Sequence, residues 1–374
     1  MWKLSYVTVT AGFNASGEEA KLLLSTAWLF KIATHRVLAY AKSTPTLPGS
    51  KIGWKNTFRS VAYEVIPNRR YADSACILVM GIYESVRRLG IDFREVELGD
   101  WLMFQQSEKE FPPRNITLKS EDEAWVTAFV YDGESRRLRL RISASGSFRR
   151  LLEAILREKQ PYNPRITLKS WNVRGGELYV RGELQVSVPI DFYYRHLARC
   201  KTNSGRLYGG VDVNSDRINL AVVDGSGILR DARTIWFREV TARGYPRHRA
   251  RTVIGMGVHE MLRYAYHHGV KTLFLEDPKV LGRLRLLWIR DGKRLHKNYN
   301  WRVSTFRVSI IEAIAVKAPL YSIRVEYIDP KGTTRSEEHD ELMRRYGLDR
   351  HMASAYLIAL RGMERYTTIQ KATV

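Results

Sequence analysis

The chain has 374 residues, with 61 Lys and Arg against 39 Asp and Glu, a formal charge of +22 and a pI near 10. At 44% hydrophobic and 11% aromatic residues it can bury at least one full core, and its length suits two or three domains. Its two cysteines, Cys76 and Cys200, exclude a disulfide framework, a four-thiolate zinc site and an iron–sulfur cluster.

Lys3 to Thr10 alternates in the manner of a short strand. Ser16 and Glu19, three apart ahead of Leu22, Leu23, Ala27, Phe30, Ala33 and Val37, predict a helix opened by a capping box. Two more helices are expected at about 56–65 and 71–89, separated by Pro67 and closed by Gly90. From about residue 93 the texture turns to β. ITLKS occurs at 116–120 and again at 166–170, and hairpins are expected around Asp132-Gly133 and Gly175-Gly176, with a helix over 148–158 between them.

Beyond Tyr208 strands and helices alternate: strands at 210–213, 218–224, 272–275 and 322–328, and helices at about 249–267, 303–317 and 350–363. That pattern predicts a mixed α/β domain. No run of about 18 apolar residues occurs, and the first residues, MWKLSYVTVTAGF, lack a long apolar core, so the expectation is a soluble, cytoplasmic protein. A charge of +22 points first to nucleic-acid phosphate as the partner, with a general solubility adaptation as the alternative.

Three acids stand at telling places. Asp212 lies in the strand of GVDVNSDRINLAVVD, Glu276 ends the apolar run VKTLFLED, and Asp349 precedes the helical pattern of RHMASAYLIALRG. Any one of them alone would serve as a helix cap or an Arg partner. Together, without paired cations, they repel, and hard divalent ions bound through oxygen relieve that repulsion. The expected cofactor is Mg²⁺ or Mn²⁺, two ions about 3.5–4 Å apart, and the expected chemistry is phosphodiester hydrolysis.

The order GVDVNSDRINLAVVD, FLEDPKVLG, YSIRVEYIDPKGTTR, LDRHMASAYLIALRG resembles the split RuvC-like nuclease domain of the TnpB family, insertion-sequence relatives of type V CRISPR effectors. The resemblance implies a multidomain α+β protein: an antiparallel β-barrel wedge domain (1–13 and 93–203), a helical recognition insert (14–92), and an α/β RuvC-like (RNase H-like) nuclease domain (204–374). It also implies an RNA-guided DNA endonuclease, with guide RNA and target DNA as partners and Asp212, Glu276 and Asp349 as the catalytic, metal-binding carboxylates. Asn214 and Asp216 are assigned to the turn, and Asp277 ranks below Glu276. One departure stands out. The family's four-cysteine zinc ribbon has no counterpart here: SEEHDELMRRYGL takes its place, His339 and His351 alone cannot build a tetrahedral site, and a short helix without zinc is expected.

Basic residues interleave with aromatics in two stretches. Arg233 to Arg251, including Arg247 and Arg249, carries Trp236, Phe237 and Tyr245. The stretch 279–302 carries Lys279, Arg283, Arg285, Arg290, Lys293, Arg294, Lys297 and Arg302 among Trp288, Tyr299 and Trp301. Guanidinium groups grip phosphate and aromatic faces stack on unpaired bases. Arg59, Arg69 and Arg70, with Lys51 and Lys55, are the candidate nucleic-acid contacts of the helical insert. The competing functions are a guide-directed DNA-binding repressor that does not cut, and a structure-selective RuvC-type nuclease that needs no RNA.

Overall fold

The computed structural model describes residues 6–131, 133–198, 205–242, 244–278, 283–289, 309–329 and 336–372. They divide into two compact units, one of Tyr6–His196 with the short strand Leu287–Ile289, the other of the described residues in 197–285 and 309–372.

In the first unit, strand β1 (Tyr6–Ser16) runs straight into helix α1 (Gly17–Ser43), followed by α2 (Lys51–Tyr63) and α3 (Arg69–Arg88). Ser16 occupies the N-cap of α1, but its side chain makes no capping bond, so the expected capping box does not form; Ser16 is still paired in β1, opposite Tyr179. Capping is performed instead at Ser50, which accepts from Gly53 N, and at Asn68, which accepts from Arg70 N and Tyr71 N. Tyr71 is the hub of the core. Its ring meets Phe30, Phe104 and Phe129 edge-on at 6.4, 5.7 and 6.2 Å, and its hydroxyl donates to Thr127 O at 2.8 Å. Burial of this kind pushes the phenol far above its ordinary range.

The strands that follow make two antiparallel sheets where one barrel was expected. The first has the order β1-β8-β7-β3, with β3 Leu102–Gln105, β7 Asn163–Arg174 and β8 Glu177–Pro189. The second is β4-β5-β6, over Ile116–Leu118, Glu123–Phe129 and Ser135–Arg141, and a bridge between Gly12 and Ser143 links the two. The two ITLKS copies therefore fall in different sheets. Helices α4 (Gly146–Arg157) and α5 (Ile190–Leu197) follow β6 and β8, and strand β13 (Leu287–Ile289) pairs with β2 (Val96–Leu98).

The second unit is built on one mixed sheet. Its strands β9 (Leu207–Val213), β10 (Arg217–Val223), β11 (Leu229–Trp236), β12 (Val270–Glu276) and β14 (Arg324–Ile328) stand in the order β11-β10-β9-β12-β14. The pairs around β10 are antiparallel, whereas β12 runs parallel to both β9 and β14. Helix α6 (Arg247–His267) contacts β10, β11 and β12, while the C-terminal helix Arg350–Ala372 packs on β9, β10, β12 and β14 through Met352, Ala355, Tyr356, Ala359 and Met363. That helix lies against backbone. A Cβ on Gly210 would strike Ala355 O and Ala359 N, and one on Gly362 would strike the Phe274 ring, so both positions demand glycine for close approach. The segment SEEHDELMRRYGL folds as the expected short helix, Glu337–Tyr346, with Ser336 accepting from His339 N at its start and Gly347 closing it at φ +61°.

Candidate functional site

Strand register places polar residues in a row across the mixed sheet. Thr234 of β11 pairs with Asn219 of β10, and Asn219 pairs with Asp212 of β9. Leu275 pairs with Val211, which sets Glu276 beside Asp212 one residue further along parallel strands; Glu276 in turn pairs with Ile328. Residues at alternate positions share a face, so Asp212 and Glu276 lie on the same side as Gly210 and Phe274, the side covered by the C-terminal helix. Both acids are buried, Asp212 at 1% exposure and Glu276 at 7%.

Asp349 is on the surface immediately ahead of that helix, where its Oδ1 accepts from His351 N at 2.9 Å and Met352 N at 2.8 Å. Its carboxylate caps the helix, the use that the sequence also allowed. His351 ties the two places together: its Nδ1 lies 3.2 Å from Asp212 Oδ2. The Asn214 amide donates to the same oxygen at 2.7 Å and stands 3.0 Å from His351 Nδ1. With the ring proton on Nδ1 the imidazole donates to Asp212; with it on Nε2 the ring accepts from Asn214. His339, buried in the short helix, buttresses this turn through Nε2, 2.9 Å from Arg350 O and 3.2 Å from Ser354 Oγ.

Among the described residues, no three His, Cys, Asp or Glu side chains are gathered closely enough to hold a metal ion. The donor set is hard oxygen and suits Mg²⁺ or Mn²⁺ in kind. Its placement does not make a cage: Asp349 is engaged as a cap, and Asp212 accepts from Asn214 through Oδ2. Cross-strand from Asp212, Asn219 is fully buried. It accepts from Thr234 Oγ1 at 2.9 Å, and its Nδ2 is a buried donor with no hydrogen-bond partner among the described residues.

Asn219, Asn214 and His351 were not among the expected site residues. Asn214 was legible by position, two residues beyond Asp212 and so on the same face of a strand carried onward. His351 was weighed only as a zinc ligand, because nothing in local spacing places the first turn of a helix beside a strand far earlier in the chain.

The basic residues separate into three groups. In the first unit, Arg59 Nε pairs with Asp73 Oδ1 at 2.5 Å, and Arg70 pairs with Glu108 and, at 3.3 Å, Glu110; Lys55 bonds Glu108 at 2.6 Å. These cations are neutralised within the fold. Arg69 and, at the start of α6, Arg249 are exposed, and Arg283 is half-buried in a short turn of helix. Lys279, Arg290, Lys293, Arg294, Lys297 and Arg302 lie outside the described residues, as do the side chains of Arg247 and Arg285. Trp236, 44% exposed, has the guanidinium groups of Arg217 and Arg238 at 4.0 and 3.9 Å from its ring centre. Among the described residues, no helix is long and apolar enough to cross a membrane.

The SSO2105 N-terminal domain model matches residues 6–198. An uncharacterized protein of Aeropyrum pernix is 61% identical over 370 residues, covering 99% of this chain and 88% of that one. The uncharacterized protein SSO2105 of Saccharolobus solfataricus is 32% identical over 181 residues, 48% of this chain and 47% of that one. Among solved structures, T. thermophilus RuvC in complex with a Holliday junction substrate is similar over 43% of this chain and 96% of its own, at 15% identity and a TM-score of 0.30. A CRISPR-Cas12f ternary complex is similar over 91% of this chain and 80% of its own, at 10% identity and a TM-score of 0.30.

Proposed function

The chain belongs to the family that the SSO2105 N-terminal domain defines, and we propose that it is a metal-dependent nuclease of RNase H-like type, directed to DNA by a bound guide RNA. The observation that carries this reading is the row across the mixed sheet. Asp212 and Glu276 are neighbours on parallel strands, and Asp349 sits at the start of the helix whose His351 reaches Asp212. Three antiparallel strands followed by two parallel ones, with acids on neighbouring parallel strands and just ahead of the C-terminal helix, support a site of RNase H-like type. The charge of +22 supplies the attraction to a polyanion.

In this reading Asp212, Glu276 and Asp349 would hold Mg²⁺ or Mn²⁺, which supplies a water activated for attack on phosphorus and stabilises the leaving oxygen. The protein's own part is positional. Asn214 fixes one oxygen of Asp212, and His351, in the first turn of the helix that Asp349 caps, reaches the same carboxylate. A second reading is favoured by that same cap: a chain whose third acid stays on the helix binds a guided target without cutting it.

Two measurements test the proposal. Calorimetric titration with Mn²⁺ is expected to show binding that Asp212→Asn abolishes and that His351→Ala weakens about 10- to 100-fold, the usual effect of removing a group that orients a ligand. Cleavage of a plasmid matched to the co-purified RNA is expected to need Mg²⁺ and to vanish in Asp212→Asn. Metal binding lost with cutting unchanged refutes the assignment of the acids, and guided binding without metal uptake or cutting supports the second reading.

A further inference from the structure

Helix α1 buries Leu22, Leu23, Ala27, Phe30 and Ala33 on one side and leaves a second stripe, Lys21, Leu24, Ser25, Trp28 and Ile32, facing outward. Tyr131, in the turn after β5, and Leu178, at the start of β8, stand opposite, and the seven residues enclose an open cleft of about 360 Å³. Its two large rings are exposed to water, Trp28 at 43% and Tyr131 at 76%. Packing of the core explains neither. None of the seven is acidic, and two cations accompany the rings: Lys21 lines the cleft, and Lys31 places its Nζ 5.3 Å from the Trp28 ring centre and 5.9 Å from that of Trp101. On its floor the Ser25 hydroxyl finds no hydrogen-bond partner among the described residues.

We propose that this cleft takes an unpaired base of a single-stranded nucleic acid, stacked on the Trp28 and Tyr131 rings with its phosphates beside Lys21 and Lys31. Exposed aromatic faces flanked by lysine are the means by which proteins hold single strands irrespective of sequence, because every base offers a π-face. A duplex hides those faces, so the cleft discriminates by strandedness. Its size, at the lower end of ligand pockets, fits a base and not a helix of duplex. The inference rests on the nucleic-acid reading above and does not depend on the acids of the mixed sheet.

The test is fluorescence anisotropy with the full chain in EDTA, using a labelled U-rich single-stranded RNA and the same sequence as a duplex. Trp28→Ala and Tyr131→Ala are expected to weaken single-strand binding about 5- to 150-fold, the range of one stacked base. Duplex affinity stays at the wild-type level, and Trp28→Phe retains most of the single-strand affinity. Photocrosslinking to 5-iodouridine RNA is expected to map to Trp28 or Tyr131. Unchanged single-strand affinity in both alanine variants, at an unchanged melting temperature, overturns the proposal, as does crosslinking confined to other residues. Wild-type protein that binds duplex but not single strand overturns the cleft alone, whereas binding to neither overturns the nucleic-acid reading as well. Self-association that Trp28→Ala abolishes, with RNA affinity intact, makes the cleft an interface between two copies and refutes the base site.

Discussion

Two groups of carboxylates in this molecule use the same residue types to opposite ends. In the first unit, Asp73, Glu108 and Glu110 meet Lys55, Arg59 and Arg70, so charge is balanced inside the fold. In the second, Asp212 is held by an amide and an imidazole, Asp349 by backbone N–H groups, and Glu276 lies beside Asp212 on the next strand. An amide and backbone N–H groups fix a carboxylate in place without neutralising it, whereas the guanidinium and ammonium partners of the first group do both. The kinds of partner, more than burial, therefore distinguish the two groups: Asp73 and Asp212 are both buried.

The contrast breaks most sharply under removal of one charge from each group. Asp73→Ala strands Arg59 and Lys55 with less compensation and is expected to destabilise the protein by about 3 kcal/mol, the low end for a broken buried pair because both cations keep some solvent contact. Asp212→Asn keeps a group able to accept from Asn214, so its loss of stability is expected to be the smaller of the two. Urea unfolding of both variants decides: equal losses erase the distinction.

A smaller effect sharpens the view of how the second group is positioned. Gly210→Ala pushes a methyl group into the backbone of the C-terminal helix, and overpacking of this kind costs roughly 1–3 kcal/mol. Because the same helix starts at Asp349 and His351, the variant is expected to lose Mn²⁺ affinity along with its thermal stability. A melting temperature that falls while Mn²⁺ affinity stays constant separates the packing of this helix from the site.

Much of the local structure was legible. The β5–β6 and β7–β8 hairpins, the helices closing near 63 and 88, and the strands carrying Asp212 and Glu276 follow from periodicity and turn residues. Ser16 misled because a strand and a helix share it: the β1 ladder sets the geometry there before any cap forms. The barrel also differs, since hairpin spacing specifies neighbours but says nothing of whether the outermost strands close. The ion pairs of Arg59 and Arg70, expected as nucleic-acid contacts, were not legible, because their acids, Asp73, Glu108 and Glu110, come from a helix and a loop whose approach no local pattern encodes. Asn219 was invisible for the same reason: only the register of β9 against β10 sets it opposite Asp212.

The smallest expected effect concerns a titrating group remote from both clusters. His259 on α6 is half-buried, with Nδ1 2.9 Å from Tyr321 Oη, and burial first and the Lys317 ammonium second hold its pKa below the ordinary histidine value. A depressed folded-state pKa means that the unfolded chain binds the proton more readily. The contribution of His259 is therefore fully present above the unfolded value of about 6.5 and is lost as pH falls through the folded one. Unfolding free energies measured from pH 7.5 down to pH 5 are expected to decline less steeply in His259→Gln, which keeps a polar group near Tyr321 but cannot take the proton. A slope identical to wild type would assign the acid sensitivity of the fold to groups other than His259.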